Sequence, residues 1–231
     1  LLNRCDMADS RETARWISYF KSKGIGAIAV DCKSGKGISG FMPAVRELLC
    51  DRIKSWEEKG MKNRTIRVMV VGIPNVGKSS FINKVANKSR AKAEDRPGVT
   101  RGNQWYTIGN GFELLDTPGV LWPKFDDPAV GERLAFTGAV KDQIIDTELL
   151  AVRLLEVLKE RPTEAFLTRF KLTESDIAAL PPYELLELIG RKRGMLISGG
   201  EIDTLRASNM LLDEYRGAKL GKITLEGAPA G

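Results

Sequence analysis

The 231-residue chain contains no histidine. Imidazole, the side chain that titrates near neutral pH and a common metal ligand, is therefore unavailable to any chemistry done here. Cysteine is sparse: Cys5, Cys32 and Cys50 lie far apart and form no CxxC pair. They read as reduced thiols, with neither a disulfide framework nor a zinc site. No apolar run approaches bilayer length and no signal-peptide pattern opens the sequence, so the chain reads as cytoplasmic, with no membrane partner. An initiating Met is also missing, and only Leu1 and Leu2 stand before a motif at Asn3 that should follow a buried strand. A strand needs about five or six residues, so the sequence predicts further chain upstream.

What is present is ordinary for a soluble globular protein, at 42% hydrophobic and 29% charged. The length suffices for one large or two modest domains. The formal charge is +6, and it is uneven. Residues 1–64 carry a net +5, residues 65–144 a net +3 and residues 145–231 a net −2. A positive balance suits a polyanion such as RNA, and equally a solvated basic surface.

Periodicity predicts a helix over about 11–23, stopped by Gly24, and a short buried strand over 25–30. A Gly-rich loop follows over 31–40, then a helix from Phe41 to about Lys59. Residues 66–71 form a strand rich in β-branched side chains, running into the Gly72 loop and a helix over 78–87. Residues 104–108 and 112–115 flank Gly109-Asn110-Gly111 as a hairpin. Strands alternating with helices predict an α/β domain with a mostly parallel sheet. Beyond residue 126 the pattern turns helical, with a capped start at Asp127-Pro128 and helices over 147–159, 182–193 and 203–216.

Gly72-Ile73-Pro74-Asn75-Val76-Gly77-Lys78-Ser79, between a strand and a helix, matches the Walker A pattern. Backbone N–H groups around Val76, Gly77 and Ser80 can face phosphates, Lys78 can neutralise the β and γ groups, and the Ser79 hydroxyl can meet Mg²⁺. Asp116-Thr117-Pro118-Gly119 ends an apolar strand about 40 residues later, as a Walker A companion should. Asp116 can hold Mg²⁺ and the Gly119 N–H can sense the γ-phosphate. Thr100, in the loop between these motifs, can complete the Mg²⁺ shell. Lys78, Thr100 and Gly119 are thus the expected catalytic set.

Asn3-Arg4-Cys5-Asp6 fits a guanine reader, in which the Asp6 carboxylate accepts from guanine N1–H and its amine. Arg4 stands where lysine is usual and can stack its planar head on the base. Cys32 and Lys33, after the strand ending near Val30, occupy the expected second base loop. Asn75 in the P-loop admits two readings: a K⁺ ligand beside the phosphates, or a turn residue tolerating positive φ.

In order, these motifs are guanine reader, second base loop, P-loop, threonine switch and DTPG. They resemble the circularly permuted GTPases of the YlqF/RbgA family, ribosome-assembly factors of bacteria. The likeness extends through Asp95 to Thr100, Leu114 to Phe125 and Lys192 to Gly200. It implies a P-loop GTPase domain of circularly permuted motif order over residues 1–125, a connecting segment over 126–144 and a small, mainly α-helical RNA-binding domain over 145–231. It implies GTP and GDP with Mg²⁺, the Asn75-bound K⁺ as a further cofactor, and rRNA of the large (50S) ribosomal subunit as partner, with no DNA and a monomeric state. Arg191, Lys192, Arg193, Arg216 and Lys219, with Lys222, are the expected RNA contacts, and Lys84, Lys88, Arg90, Lys92, Arg96 and Arg101 a second basic set. The family also has an N-terminal histidine proposed to help catalysis, and that role has no residue here.

Val120 follows Gly119 where Ras-like proteins place the glutamine that orients water. Valine cannot do so, and the sequence predicts slow intrinsic hydrolysis, accelerated by an outside element. Two other readings stand beside this one: a nucleotide-gated RNA-binding scaffold, and a P-loop ATPase or kinase, against which Asp6 argues.

Overall fold

The computed structural model describes residues 1–88, 104–120, 127–140 and 146–229. The chain divides into two compact units. The first comprises Leu1–Cys5, Ser10–Trp122 and Gly227–Gly231; the second comprises Asp6–Asp9 and Pro123–Glu226.

In the first unit, helix α1 spans Ser10–Ser22. Gly24 closes it at φ 73°, a conformation glycine adopts without a Cβ clash. The Gly24 and Ile25 N–H groups bond back to the Lys21 and Phe20 carbonyls, at 3.0 and 2.9 Å. This capping uses Ile25, so the predicted strand over 25–30 shrinks to residues 28–30, which pair with Leu2 in a parallel bridge. The predicted helix from Phe41 to Lys59 is two: α2, Phe41–Leu48, and α3, Cys50–Glu58, separated by Leu49 at φ −106° and ψ 12°. Hydrophobic periodicity survives a one-residue break, which hides it from the sequence.

Strand β1, Ile66–Val70, leads through the Gly72 loop into α4, Lys78–Lys88. β2, Gln104–Gly109, and β3, Phe112–Asp116, form the hairpin expected around Gly109-Asn110-Gly111, all three of which have positive φ. The sheet order is β1-β3-β2. β1 runs parallel to β3 with Val70 opposite Asp116, and β2 runs antiparallel to β3 with Gln104 opposite Asp116. The sheet of the described residues is therefore mixed rather than mostly parallel, because the hairpin supplies one of its two ladders. Phe81, Ile82 and Val85 of α4 pack with Ile108, Phe112 and Leu114 of the sheet and with Phe41 of α2.

The second unit is helical: α5 Pro128–Phe136, α6 Thr147–Glu160, α7 Glu164–Phe170, α8 Glu174–Ala179, α9 Pro182–Lys192 and α10 Thr204–Arg216. Polar side chains cap every start but that of α9. Asp127 caps α5, Asp146 accepts from the Glu148 and Leu149 N–H groups, and Thr173 with Asp176 makes a reciprocal capping box. Leu154, Leu155, Leu158, Phe166, Leu185, Ile189 and Leu211 fill the centre with essentially no exposure. α5 falls in the stretch predicted as a connector, yet its Ala135 and Phe136 belong to this core. α7 and α8, at seven and six residues, are too short for a 3.6-residue period to register in sequence.

Candidate nucleotide site

β1 and β3 lie side by side and both end at the P-loop. Parallel register puts the last residue of each, Val70 and Asp116, at the same level. That register brings Asp116 to the first turn of α4, where the Ser79 hydroxyl donates to its Oδ2 at 2.9 Å. Asp116 is buried, at 1% exposure. The Thr117 hydroxyl donates to the Val70 carbonyl at 2.8 Å, tying the turn after β3 to the strand feeding the P-loop.

The loop itself depends on unusual backbone angles. Gly77 has φ 95° and Asn75 φ 57°. Glycine is free there, and asparagine tolerates the left-handed region better than most residues. Asn75 is exposed at the turn, so the turn-forming reading of this residue has direct geometric support. Lys78 reaches over the loop and donates to the Gly72 and Ile73 carbonyls at 3.0 and 2.8 Å. Burial lowers the pKa of its ammonium, and the nearby Asp116 carboxylate opposes that shift.

Gly119 lies against this loop. A Cβ there would sit 2.6 Å from Pro74 Cα and 3.0 Å from Lys78 Nζ, so a side chain must displace backbone. Val120 beside it is 76% exposed. The two phosphate motifs thus meet at Pro74 and Lys78.

Asn3 links the first motif to the P-loop and to the second base loop. Its side-chain amide donates to the Val76 carbonyl at 2.7 Å and accepts from the Cys32 N–H at 3.2 Å. A Cβ on Gly77 would fall 2.4 Å from the same amide nitrogen. One side chain therefore ties the P-loop to the second base loop. Asp31, which sequence reading passed over, shapes that second loop. Its carboxylate accepts from the Lys33 and Ser34 N–H groups at 2.8 and 3.1 Å. Burial pushes the Asp31 pKa up, but hydrogen bonds from Ser34 and Lys33 and the charge of Arg4 outweigh it and leave it lowered. An aspartate two residues before the N–H that donates to it, in a Gly-rich stretch, is the Asx-turn signal that could have found it. Burial, with the Asp31 charge beside it, pushes the Cys32 thiol up to about 11, so it stays neutral near pH 7. Arg4 takes φ 61°. The boundary between the two units falls between Cys5 and Asp6, so Asp6 belongs to the second unit while Asn3 and Arg4 belong to the first. Thr100, Arg90, Lys92, Arg96, Arg101 and residues 121–126 lie outside the described residues, as does the side chain of Lys88.

In the second unit, several expected RNA contacts are engaged within the fold. Arg216 donates to the Phe136 and Ala135 carbonyls at 3.1 and 2.8 Å and so closes the C-terminus of α5. Lys192 donates to the Lys171 carbonyl and pairs with Asp176 at 3.3 Å. Arg193 donates to the Arg169 carbonyl and lies 5.3 Å from the Phe170 ring centroid. Lys219 pairs with Glu214 at 3.4 Å. Helix C-termini attract cations for their own carbonyls, and that local role accounts for Arg193 and Arg216. Arg191 remains exposed on α9.

The family model described as 50S ribosome-binding GTPase matches residues 67–174. The chain is 46% identical over 228 residues to ribosome biogenesis GTPase A of Bacillus cereus, covering 98% of this chain and 75% of that protein. The chain belongs to the ribosome biogenesis GTPase A family. Its Thermotoga maritima relative is 30% identical, with 98% and 74% covered. Two solved YlqF structures, one GDP-bound and one GNP-bound from T. maritima, share its fold with TM-scores of 0.65. They are 26% and 25% identical and cover 98% of this chain. Like its family, the chain is a P-loop GTPase of mixed α/β fold that hydrolyses GTP. The family binds guanine nucleotide, usually with Mg²⁺. The residues here fit that ion: one buried carboxylate and one hydroxyl, with phosphate oxygens to complete the shell, is how Mg²⁺ is commonly held.

Proposed function

We propose that this chain is a GTP-driven assembly factor of the large ribosomal subunit, cytoplasmic and monomeric, which binds rRNA and is switched by the particle it matures. The carrying observation is the approach of Gly119 to Pro74 and Lys78, beside the Ser79–Asp116 hydrogen bond. A site built this way can respond to a γ-phosphate at two motifs at once. The motif order along the chain supports a circularly permuted G domain, with the base-reading segment first and DTPG last, leading toward the helical RNA-binding domain.

In this reading Asn3, Arg4, Asp6, Cys32 and Lys33 hold the guanine, and Asn75, Val76, Gly77, Lys78, Ser79 and Ser80 the phosphates. Lys78 exchanges the Gly72 and Ile73 carbonyls for β- and γ-oxygens when GTP enters. Ser79, Asp116 and Thr100 hold Mg²⁺, which supplies positive charge against the phosphates. The Gly119 N–H faces the γ-phosphate. Val120 offers no hydrogen bond to the attacking water, so the intrinsic rate is low and the ribosomal particle supplies the missing positioning. Asn75 would hold a K⁺ ion, which would supply positive charge against the transition state in place of an arginine finger. Arg191 and the basic set around residues 84–101 contact rRNA phosphates.

The test is multiple-turnover GTP hydrolysis with and without large subunits, in K⁺ and in Na⁺. The expected result is acceleration by the subunit and a higher rate in K⁺. Equal rates with and without subunits would favour the alternative, a nucleotide-gated scaffold in which hydrolysis serves only for release. Equal rates in the two salts would remove K⁺ from the site.

A further inference from the structure

A cleft of about 320 Å³ lies in the first unit at the start of β1 and β3, lined among others by Ile53, Trp56 and Ile66 and by Arg46, Glu57 and Arg64. Its size is at the lower end of small-ligand clefts, which run from about 300 Å³. β1 carries the chain away from it for five residues before the P-loop begins, roughly 16 Å at strand rise. It is therefore separate from the nucleotide site.

Two arginines mark the rim, and aromatic rings hold both. The Arg64 guanidinium lies 4.7 Å from the Trp56 ring centroid, and that of Arg46 lies 5.2 Å from Phe112. Arg46 also donates to the Asn110 carbonyl at 2.8 Å. Among the described residues neither has a carboxylate partner. Asn63, next to Arg64 in the chain, takes φ 61° and is exposed. The one acidic group in the lining, Glu57, is exposed and can accept from amino groups.

We propose that this cleft takes one unpaired nucleobase of an RNA strand. The base stacks on the outer plane of Arg64, which is itself layered on Trp56. Its polar edge meets Glu57 and Asn63, and Arg46 meets the adjacent phosphate. Stacking on aromatic and guanidinium planes is how unpaired bases are commonly held, and a lining that carries both arginines and a carboxylate offers partners for a phosphate and for the polar edge of a base. The inference rests on the RNA-binding reading above.

The experiment measures binding of a short labelled single-stranded RNA, a duplex of the same strand and intact large subunits, to the parent chain and to Arg64→Ala, Arg64→Lys and Arg46→Ala. Arg64 and Arg46 are exposed, and unchanged GDP affinity checks that each variant is folded. The expected result is single-strand binding weakened about tenfold in Arg64→Ala, nearly as much in Arg64→Lys because an ammonium offers no plane, with duplex binding unmoved. Parent-like binding by Arg64→Ala, or full rescue by Arg64→Lys, overturns the proposal. So does a loss on intact subunits without a loss on naked RNA, which would assign the cleft to a protein partner. If the parent chain binds neither RNA nor subunits, the proposed function itself fails, a different result from parent binding that the variants leave unchanged.

Discussion

Two residues of the site work by what they lack or by what they join. Gly119 has no Cβ, and a methyl there meets Pro74 at 2.6 Å and Lys78 Nζ at 3.0 Å. Gly119→Ala must move the P-loop or the DTPG turn by a substantial fraction of an ångström. Misplacement on the scale of 1 Å costs about a hundredfold in rate, so turnover should fall by about that factor while circular dichroism stays unchanged. A normal rate would mean that the close approach is not kept during turnover. Asn3 joins the Val76 carbonyl to the Cys32 N–H. Removing it in Asn3→Ala leaves two backbone groups to find water, at about 1–3 kcal/mol if they stay buried. The expected outcome is GDP and GTP affinity both reduced about tenfold, read by titration with a fluorescent nucleotide analogue. A drop for GTP alone would place its effect at the γ-phosphate instead.

At the scale of elements, the helical core and its ion pairs give the next expectations. Leu154 of α6 is fully buried, and Leu154→Ala should destabilise that unit by about 2–5 kcal/mol through lost burial and a cavity, measured by denaturant unfolding. Glu214 of α10 is buried and accepts from the Arg169 guanidinium, with one contact at 2.6 Å. The Arg169 hydrogen bond lowers its pKa below the ordinary 4.5; burial pushes the other way, and the Arg169 and Lys219 charges reinforce the lowering. A lowered carboxylate contributes stability that is present above its unfolded pKa and lost as pH falls through the folded value. Glu214→Gln should therefore lose stability near pH 7 and show a shallower acid limb, with wild type and variant converging below about pH 4. Parallel limbs would show that the pair does not titrate with unfolding. The helices predicted around Leu154 and Leu211 are long enough for their period to show. α7 and α8 were hidden by their length, whereas the start of α5 was legible in its Asp127-Pro128 cap and only its membership of the helical core was not.

For the whole molecule, charge sets the expectation. A chain with net +6, concentrated as +5 in residues 1–64 and reversed to −2 in residues 145–231, should bind RNA with strong salt dependence. Each phosphate neutralised contributes roughly 0.7–0.9 to the slope of log affinity against log salt. A slope near zero would take electrostatics out of recognition. The engaged cations of the helical unit sharpen this expectation. Arg216, Lys192, Arg193 and Lys219 already satisfy carbonyls and carboxylates of their own unit, so charge-reversal there should disturb folding more than the salt slope. Reversal at Arg46 or Arg64 should lower the slope.

The nucleotide chemistry was legible in the sequence because phosphate binding demands particular residue types at short spacing. Gly72 to Ser79 and Asp116 to Gly119 need only their own backbone and the neighbouring strand. The long, strongly periodic helices and the Gly109-Asn110-Gly111 turn were legible for the same local reason. What only the tertiary structure decided are the relations between distant segments. Among these are Asn3 bridging Val76 and Cys32, Gly119 lodged against Pro74, and Ser79 meeting Asp116 through the parallel register of β1 and β3. The use of Arg216 as a helix cap belongs with them. A basic side chain has the same sequence signature whether it faces RNA or a carbonyl of its own fold, and only the packing of α5 beside α10 settles which it meets.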